Sequence, residues 1–570
     1  RSIESFFRLS LTADARRFAW EIASDYSHAV VRACELLLER IWNRIYDGIE
    51  VYNLEAVARI APGHGLVYLP CHRSHADYLL LSFVVHRGGL AAPYVAAGDN
   101  LNLPLIGPLL RRAGAFFLKR RFKGETLYAA VFREYLHTML SRGFPMEYFI
   151  EGGRSRSGRT LAPRAGLLGM TLDSRLRDPR GRPLALVPVY IGYEKLLEGR
   201  SFVSELEGLP KQRESLRALA GSWRLLARRF GRAYINFGEP LIVDRFLDER
   251  APGWESAGAD ERSALAERLT PVLADIVARR INAAVVINPI NLLAMAIADA
   301  PHHALDERLL HQQVDVLAAM AAAVPVSRHA FVTGIEPAEV IARGERLGAV
   351  SRFAHPLGDI IRVAPEQLAL LTYFRNNVLH AFAFPGLAVS LLSRRATMSG
   401  DEIAASALGL LPFLRAELFL DLSEEEVRAT MDRVVALLVE RGLVESAGEL
   451  GFRAPESNTV EAYRLELLAR SQRQMLERHY LVQAVLSSFG PDRLTRERLE
   501  ELVCLLGQRL TLLFEYATPE FYERAAFASC IDTLAAIGLI EEDASGRLSF
   551  DLRLVAPLRL LETLLPSDAL

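Results

Sequence analysis

Three textures follow one another along the chain. Through residue 58 apolar positions recur at helical spacing among charges, as in RRFAWEIASDYSHAVVRACELLLERIWNRIYDGI, with little Gly or Pro, which predicts packed helices. From Leu66 to about Leu241 the chain changes to short apolar runs (LVYLP, APYVAA, GAFFLKR, PMEYFIEGG, ALVPVYIGY, AYINFGEP) parted by Gly, Pro and basic turns. Runs of that length read as buried strands, and the intervening GETLYAAVFREYLHTMLSRG reads as a helix. After about residue 260 helical patterns dominate. The expected architecture is therefore a helical region over 1–58, an α/β domain over 59–285 whose central, mostly buried β-sheet is flanked by helices, and a mainly α-helical C-terminal region over 286–570.

Two stretches of the last region, MDRVVALLVERGLVESAGELGFRA and CIDTLAAIGLIEEDASGRLSFD, each run helix, Gly-Leu-(Val/Ile)-Glu, polar turn and short strand. That is a winged-helix-like pattern. Two others, Ile281 to Ala298 and Asn376 to Ser393, are each 18 residues without a formal charge, the lower limit for crossing a bilayer. Both contain proline and asparagine. They read as buried core helices broken by proline, with interfacial or re-entrant membrane contact as the alternative and true spanning the poorest fit.

Composition sharpens this picture only locally. Lys+Arg (67) and Asp+Glu (69) nearly cancel over 570 residues, but the balance hides opposed regions. Between Arg111 and Arg164 there are twelve Lys/Arg against four Asp/Glu, and from Asp401 to Leu570 there are 29 acids against 17 arginines. The middle is suited to anions, whereas the acidic C-terminal third opposes phosphate contact, so the winged-helix-like segments predict a structural or protein-contact role and no nucleic-acid partner. Cys34, Cys71, Cys504 and Cys530 show no paired spacing, which fits a reducing compartment. Because the chain opens on Arg1, a natural start further upstream is expected.

The chemistry-bearing residues gather at predicted strand ends. In CHRSHADYLLLSF, His72 and Asp77 stand five residues apart across a strand end and a helix start. At that distance the carboxylate can take one imidazole N–H and leave the other nitrogen as a base. No G-x-S-x-G supplies a nucleophile, so the attacking group is expected to belong to the substrate. A metal set of His72, His75 and Asp77 is a rival, although no second His/Asp/Glu cluster is evident downstream, and helix capping by Asp77 or Ser74 is the plain alternative. In FIEGGRSRSGR, Gly152, Gly153 and Gly158 let backbone N–H groups converge and Arg154, Arg156 and Arg159 add positive forks, a combination suited to phosphate. A third basic cluster, Lys119, Arg120, Arg121 and Lys123, follows GAFFL. A base without a protein nucleophile, beside phosphate-binding loops, points to acyl transfer onto a phosphorylated alcohol.

HRSHAD, GAFFLKRRF, FIEGGRSRSGR and LVPVYIGYE, in this order over about 120 residues, resemble the boxes of the glycerolipid acyltransferases marked by H-x-x-x-x-D, and most closely those of the bacterial glycerol-3-phosphate acyltransferases. The likeness continues less formally through RIYDGI, YINFGEP, INAAVVINPINLLA and YFRNNVLHAF. The resemblance implies that His72 is the general base for the 1-hydroxyl of sn-glycerol 3-phosphate and that Asp77 orients it. It implies that Arg120, Arg154, Ser155 and Arg156 hold the phosphate, that Glu151 and Gly152 shape the pocket, and that Pro188 and Tyr190 line the acyl or thioester side. Lys119 departs from the family's usual arginine and keeps the charge without the bidentate fork. The implied donor is acyl-CoA or acyl-acyl carrier protein, with no metal or bound cofactor. Membrane lipids are the implied surroundings, at the cytoplasmic face of the cell inner membrane, peripheral or shallowly inserted, with the two charge-free runs as candidate contacts. Other acceptors (lysophosphatidate or dihydroxyacetone phosphate) and a non-catalytic lipid- or carrier-binding role are the alternatives.

Overall fold

The computed structural model describes residues 12–104, 106–119, 125–199, 202, 228–394, 397–514 and 524–565. The chain divides into two compact units. The first comprises Arg1–Ser155, Thr160–Leu197 and Gln212–Val286, and the second Arg156–Arg159, Glu198–Lys211 and Ile287–Leu570.

The first unit is built on one eight-stranded sheet. Its strands are β1 (Gly48–Tyr52), β2 (Gly65–Pro70), β3 (Tyr94–Gly98), β4 (Ala115–Leu118), β5 (Met146–Glu147), β6 (Leu184–Tyr193), β7 (Arg232–Phe237) and β8 (Leu241–Ile242). The spatial order is β1-β7-β6-β2-β5-β3-β4, with β8 also paired to β6. β2 runs parallel to β5 and β6, and β3 parallel to β4 and β5. β7 and β8 run antiparallel to β6, which makes the sheet mixed. Every residue of β2 and β6 is buried, which is why both read as unbroken apolar runs rather than as alternating ones. Helices α1 (Ala13–Ile22), α2 (His28–Ile45), α3 (Asp77–Arg87), α4 (Thr126–Ser141), α5 (Gly166–Arg177) and α6 (Ala259–Ala283) belong to this unit.

Two features differ from the periodicity. Within 1–58 the chain forms not only helices but also β1, which pairs in parallel with β7 from Gly48 opposite Arg232 to Tyr52 opposite Asn236. The run PMEYFIEGG pairs only through Met146 and Glu147. Beyond them Arg164 N–H donates to Ile150 O (2.6 Å) and the chain leaves the sheet as a loop. Since β2 and β5 are parallel neighbours, the turns that follow them emerge at the same end of the sheet. Carboxyl ends of parallel strands are where open α/β sheets gather their ligands.

In the second unit the helices that matter here are α7 (Pro289–Ile297), α8 (Pro365–Asn376), α9 (Ala383–Arg394), α10 (Gly400–Leu418), α11 (Val460–Phe489) and α12 (Arg524–Ala536). The 30-residue α11 forms its axis, with α9 packed along it. Both helix–hairpin patterns are present. Helix Glu424–Glu440 leads into the antiparallel pair Glu445–Ser446 and Phe452–Arg453, and α12 into Ile540–Glu542 and Leu548–Phe550.

The two charge-free runs are interior. All nine residues of α7 are buried, as are Leu379–Phe382 and the α9 residues Ala383 to Leu392. No described helix is long and apolar enough to cross a membrane. The buried-helix reading of these runs holds, and the membrane contact offered as its alternative is corrected: their apolar side chains pack in the core. Proline sits where a helix tolerates it, at the first position of α7, while Asn288 caps that helix. Asn288 Oδ1 accepts from Ile290 N–H (3.0 Å) and Asn291 N–H (3.1 Å), and Asn291 Oδ1 accepts in return from Asn288 N–H (3.0 Å). Asn288→Ala is expected to lower stability by about 1–2 kcal/mol by leaving buried N–H groups unpaired, to be read as a reduced denaturant midpoint at unchanged slope.

Candidate active site

The turn after β2 is organised by one carboxylate. Asp77 opens α3 and is fully buried. Its Oδ2 accepts from Arg73 N–H (2.6 Å) and Ser74 N–H (2.9 Å) and lies 3.0 Å from His72 Nδ1. Its Oδ1 accepts from the Tyr193 hydroxyl (2.6 Å). Capping does not explain this residue, because Ala76 is the N-cap of α3 and Asp77 reaches backward to close its own turn. As donor to a carboxylate, His72 Nδ1 carries the proton, so Nε2 is the basic nitrogen. The imidazole lies stacked on Phe149, ring centroids 3.8 Å apart and planes inclined by 20°, so its orientation is fixed on a face as well as at an edge.

The loop after β5 is stitched to this turn. Glu151 Oε1 accepts from His72 N–H (2.9 Å), its Oε2 accepts from Leu161 N–H (3.1 Å), and Ser155 N–H donates to His72 O (2.8 Å). Burial pushes the Glu151 carboxyl up to about 7, against the pull of its two N–H donors and of Arg73. Burial also raises Glu147, one strand position from the loop, well above the carboxylate range, and Ser82 Oγ donates to it at 3.3 Å. Gly152 has φ +65°, and a Cβ there would fall 2.4 Å from Arg164 Cδ. Its backbone turn therefore favours glycine on conformation.

His72, Asp77, Glu151 and Ser155 are thus brought into one bonded cluster within the first unit, with Gly152 as its turn. Arg154 is half-buried, Ser155 buried, and Arg156 exposed and counted with the second unit. Pro188 and Tyr190 are buried within β6, Pro188 opposite Leu69, and the Arg73 guanidinium lies 4.7 Å from the Tyr190 ring centroid. Lys119 is committed to Glu125 (2.6 Å) and to the faces of Phe18 and Tyr128. Arg120, with Arg121 and Lys123, lies outside the described residues.

Two expectations are corrected. Arg159 does not serve as a free positive fork: its Nη1 donates to Glu417 Oε1 (2.5 Å). A second cluster of ligand-type side chains does exist downstream, where donor atoms of Glu417, His479 and Cys530 lie within 4.8 Å of one another. Both Glu417 oxygens are already engaged, by Arg159 and by His479 Nε2, and Arg478 approaches at 3.7 Å. Guanidinium groups beside the carboxylate repel a cation, so this group is an ion-pair hub. Although burial pulls the Glu417 carboxyl up, His479, Arg159 and Arg478 hold it well below the ordinary range.

Tyr193 and Phe149 were not among the residues singled out from the sequence. A tyrosine closing an apolar strand signals a buried hydroxyl in need of an acceptor, but the acceptor stands 116 positions away. Phe149 sits in a run that reads as strand, which hides its stacking role.

The family described as "Glycerol-3-phosphate acyltransferase C-terminal region" matches residues 202–543, and the family described as "Acyltransferase" matches residues 48–192. The chain belongs to the glycerol-3-phosphate acyltransferase family. Curated relatives in this family include glycerol-3-phosphate acyltransferases of Ectopseudomonas mendocina, 44% identical over 539 residues, and of Pseudomonas putida, 44% identical over 540 residues. Each alignment covers 94% of this chain and 65% of the relative, so the chain spans somewhat under two thirds of their length. A crystal structure of a 1-acyl-sn-glycerophosphate acyltransferase from Thermotoga maritima aligns with 48% of this chain and 86% of its own at 16% identity and a TM-score of 0.26, a likeness too slight to build on. The acyltransferase-family match contains both the His72 turn and the Glu151 loop.

Between the ordinary carboxylate value of 4.5 and about 7, the folded chain keeps a proton on Glu151 that the unfolded chain has lost. Stability relative to Glu151→Gln therefore falls as pH rises through that window, by roughly 3 kcal/mol in all, and is flat on either side. Denaturant unfolding of both proteins across pH 4–8 measures this, and parallel curves would show that Glu151 does not hold that proton.

Proposed function

We propose that the chain transfers a fatty acyl group from acyl-CoA or acyl-acyl carrier protein to the 1-hydroxyl of sn-glycerol 3-phosphate, giving 1-acyl-sn-glycerol 3-phosphate and the free thiol. The observation that carries this reading is the His72–Asp77 pair bonded through Glu151 and Ser155 to the glycine- and arginine-rich loop. The names of the relatives point the same way.

In this reading the phosphate is held by Arg154, Ser155 and Arg156, with Arg120 from the second basic cluster, and Glu151 and Gly152 shape the loop. His72 Nε2 takes the proton of the 1-hydroxyl as that oxygen bonds to the thioester carbonyl carbon. Asp77 stabilises the imidazolium across Nδ1. The tetrahedral intermediate collapses with cleavage of the C–S bond, and the departing thiolate takes up the proton from His72. No group of the protein is acylated, and no metal or bound cofactor takes part. Pro188 and Tyr190 border the acyl side.

The product is an amphiphile, which favours an enzyme resting on the cytoplasmic face of the cell inner membrane among membrane lipids. Exposed apolar side chains support that placement. Trp20 is 62% exposed, Leu37 58% and Leu109 52%. Arg111, two residues beyond Leu109, donates to the backbone of Trp20 (3.4 Å) and Ala23 (2.6 Å), which ties the end of α1 to the segment that carries Leu109.

His72→Ala is expected to lower kcat by about a thousandfold with the fold intact. Near-normal thiol release with glycerol 3-phosphate would remove His72 as the base. Arg154→Ala and Arg156→Ala are each expected to raise the KM for glycerol 3-phosphate by about ten- to a hundredfold at unchanged donor KM. A rise in donor KM alone would overturn the phosphate assignment. Competition among glycerol 3-phosphate, lysophosphatidate and dihydroxyacetone phosphate identifies the acceptor.

A further inference from the structure

The segment Arg156–Arg159 is held within the second unit by three independent contacts. Asn376 Nδ2 donates to Ser157 O at 2.8 Å. Gly158, at φ +86°, lies so close to α8 that a Cβ there would fall 2.2 Å from Tyr373 O. Arg159, 16% exposed at its side chain, donates to Glu417, which is 5% exposed. Each holding group is itself held. Arg375 Nε and Nη2 donate to Asn376 Oδ1 (3.3 and 3.2 Å), which turns its amide nitrogen toward Ser157. Arg375 is fixed in turn by Asp299 (2.5 Å), which also accepts from Gln474 Nε2 (3.0 Å). Glu417, near the end of α10, is braced by His479 and Arg478 of the long helix α11, both almost fully buried. Buried polar groups of the second unit thus converge on these four residues. A broken buried ion pair is expensive, and the arrangement makes the loop backbone unusually resistant to displacement.

We propose that Glu417 is a positioning residue for phosphate binding: by holding Arg159 it fixes the backbone of Ser157–Arg159 and thereby the placement of Arg156, the neighbouring residue on that backbone. This rests on the reading of Arg156 as a phosphate ligand. Arg156 is exposed, and a long side chain on an unpinned backbone would lose more freedom on binding than one on a fixed backbone, so pinning favours the bound geometry.

The test is steady-state kinetics of the full chain with Glu417→Gln, Arg159→Met, the pair combined, Asn376→Ala and Arg156→Ala, alongside thermal unfolding. The KM for glycerol 3-phosphate is expected to rise on the order of tenfold in Glu417→Gln and Arg159→Met, with donor KM and kcat held within about twofold. The double variant is expected to be no worse than Arg159→Met alone, since both changes sever one link. Asn376→Ala leaves both members of the Glu417–Arg159 pair in place and, by releasing Ser157 O, gives the same signature should Glu417→Gln fail to fold. If Arg156→Ala raises the acceptor KM while Glu417→Gln, Arg159→Met and Asn376→Ala do not, the phosphate reading stands and the positioning role is overturned. Additive effects in the double variant, or equal losses in both KM values and kcat, also overturn it. If Arg156→Ala leaves the acceptor KM unmoved, the phosphate reading itself falls.

Discussion

The Glu151 carboxylate is the constraint on which the first unit's site depends. Two backbone N–H groups, from His72 and Leu161, converge on it from different loops, and it is buried. A backbone donor cannot swing away as a side chain can, so the carboxylate fixes where the turn after β2 meets the loop after β5. The ordering of His72 by Asp77 and Phe149 would be useless to an anchored substrate if that junction were loose. The parallel pairing of β2 with β5 brings the two loops to one end of the sheet, and Glu151 supplies the last few ångströms. A protonated and an ionised carboxyl can both accept these bonds, the ionised one more strongly, yet burial opposes the charge.

Asp77 and Glu417 show two ways of keeping a carboxylate inside a protein. Asp77 is surrounded by polar donors, two backbone N–H groups, a tyrosine hydroxyl and an imidazole, at a helix start where the peptide dipoles favour negative charge. Glu417 instead meets full cations, Arg159 and Arg478, together with His479. The first arrangement orients an imidazole. The second fixes charge in place and suits a tether.

Much of this was legible in the residues. Unbroken apolar runs marked β2 and β6, the spacing of His72 and Asp77 marked a hydrogen-bonded pair, and the glycines of FIEGGRSRSGR marked a backbone turn, which φ at Gly152 and Gly158 reflects. What could not be read is what only tertiary contact creates. The apolar run around Phe149 looks like a strand because burial, not sheet pairing, sets its composition. The charge-free runs matched the length of a membrane span for the same reason, since a helix buried on all sides needs the same side chains as one in lipid. The Lys/Arg excess between Arg111 and Arg164 gave no hint that Arg159 is spoken for, because its carboxylate lies 258 residues further on.

That separation has a consequence for how the chain can be made and cut. Residues Arg156–Arg159 count with the second unit although first-unit segments flank them on both sides, so no single scission frees one unit from the other intact. During synthesis Arg159 emerges long before Glu417, and a fragment ending near Val286 would carry an orphaned guanidinium where the whole molecule has a neutralised pair. Excised on its own, the sheet-bearing half would therefore retain the His72 turn but lose the anchorage of the Arg156–Arg159 segment.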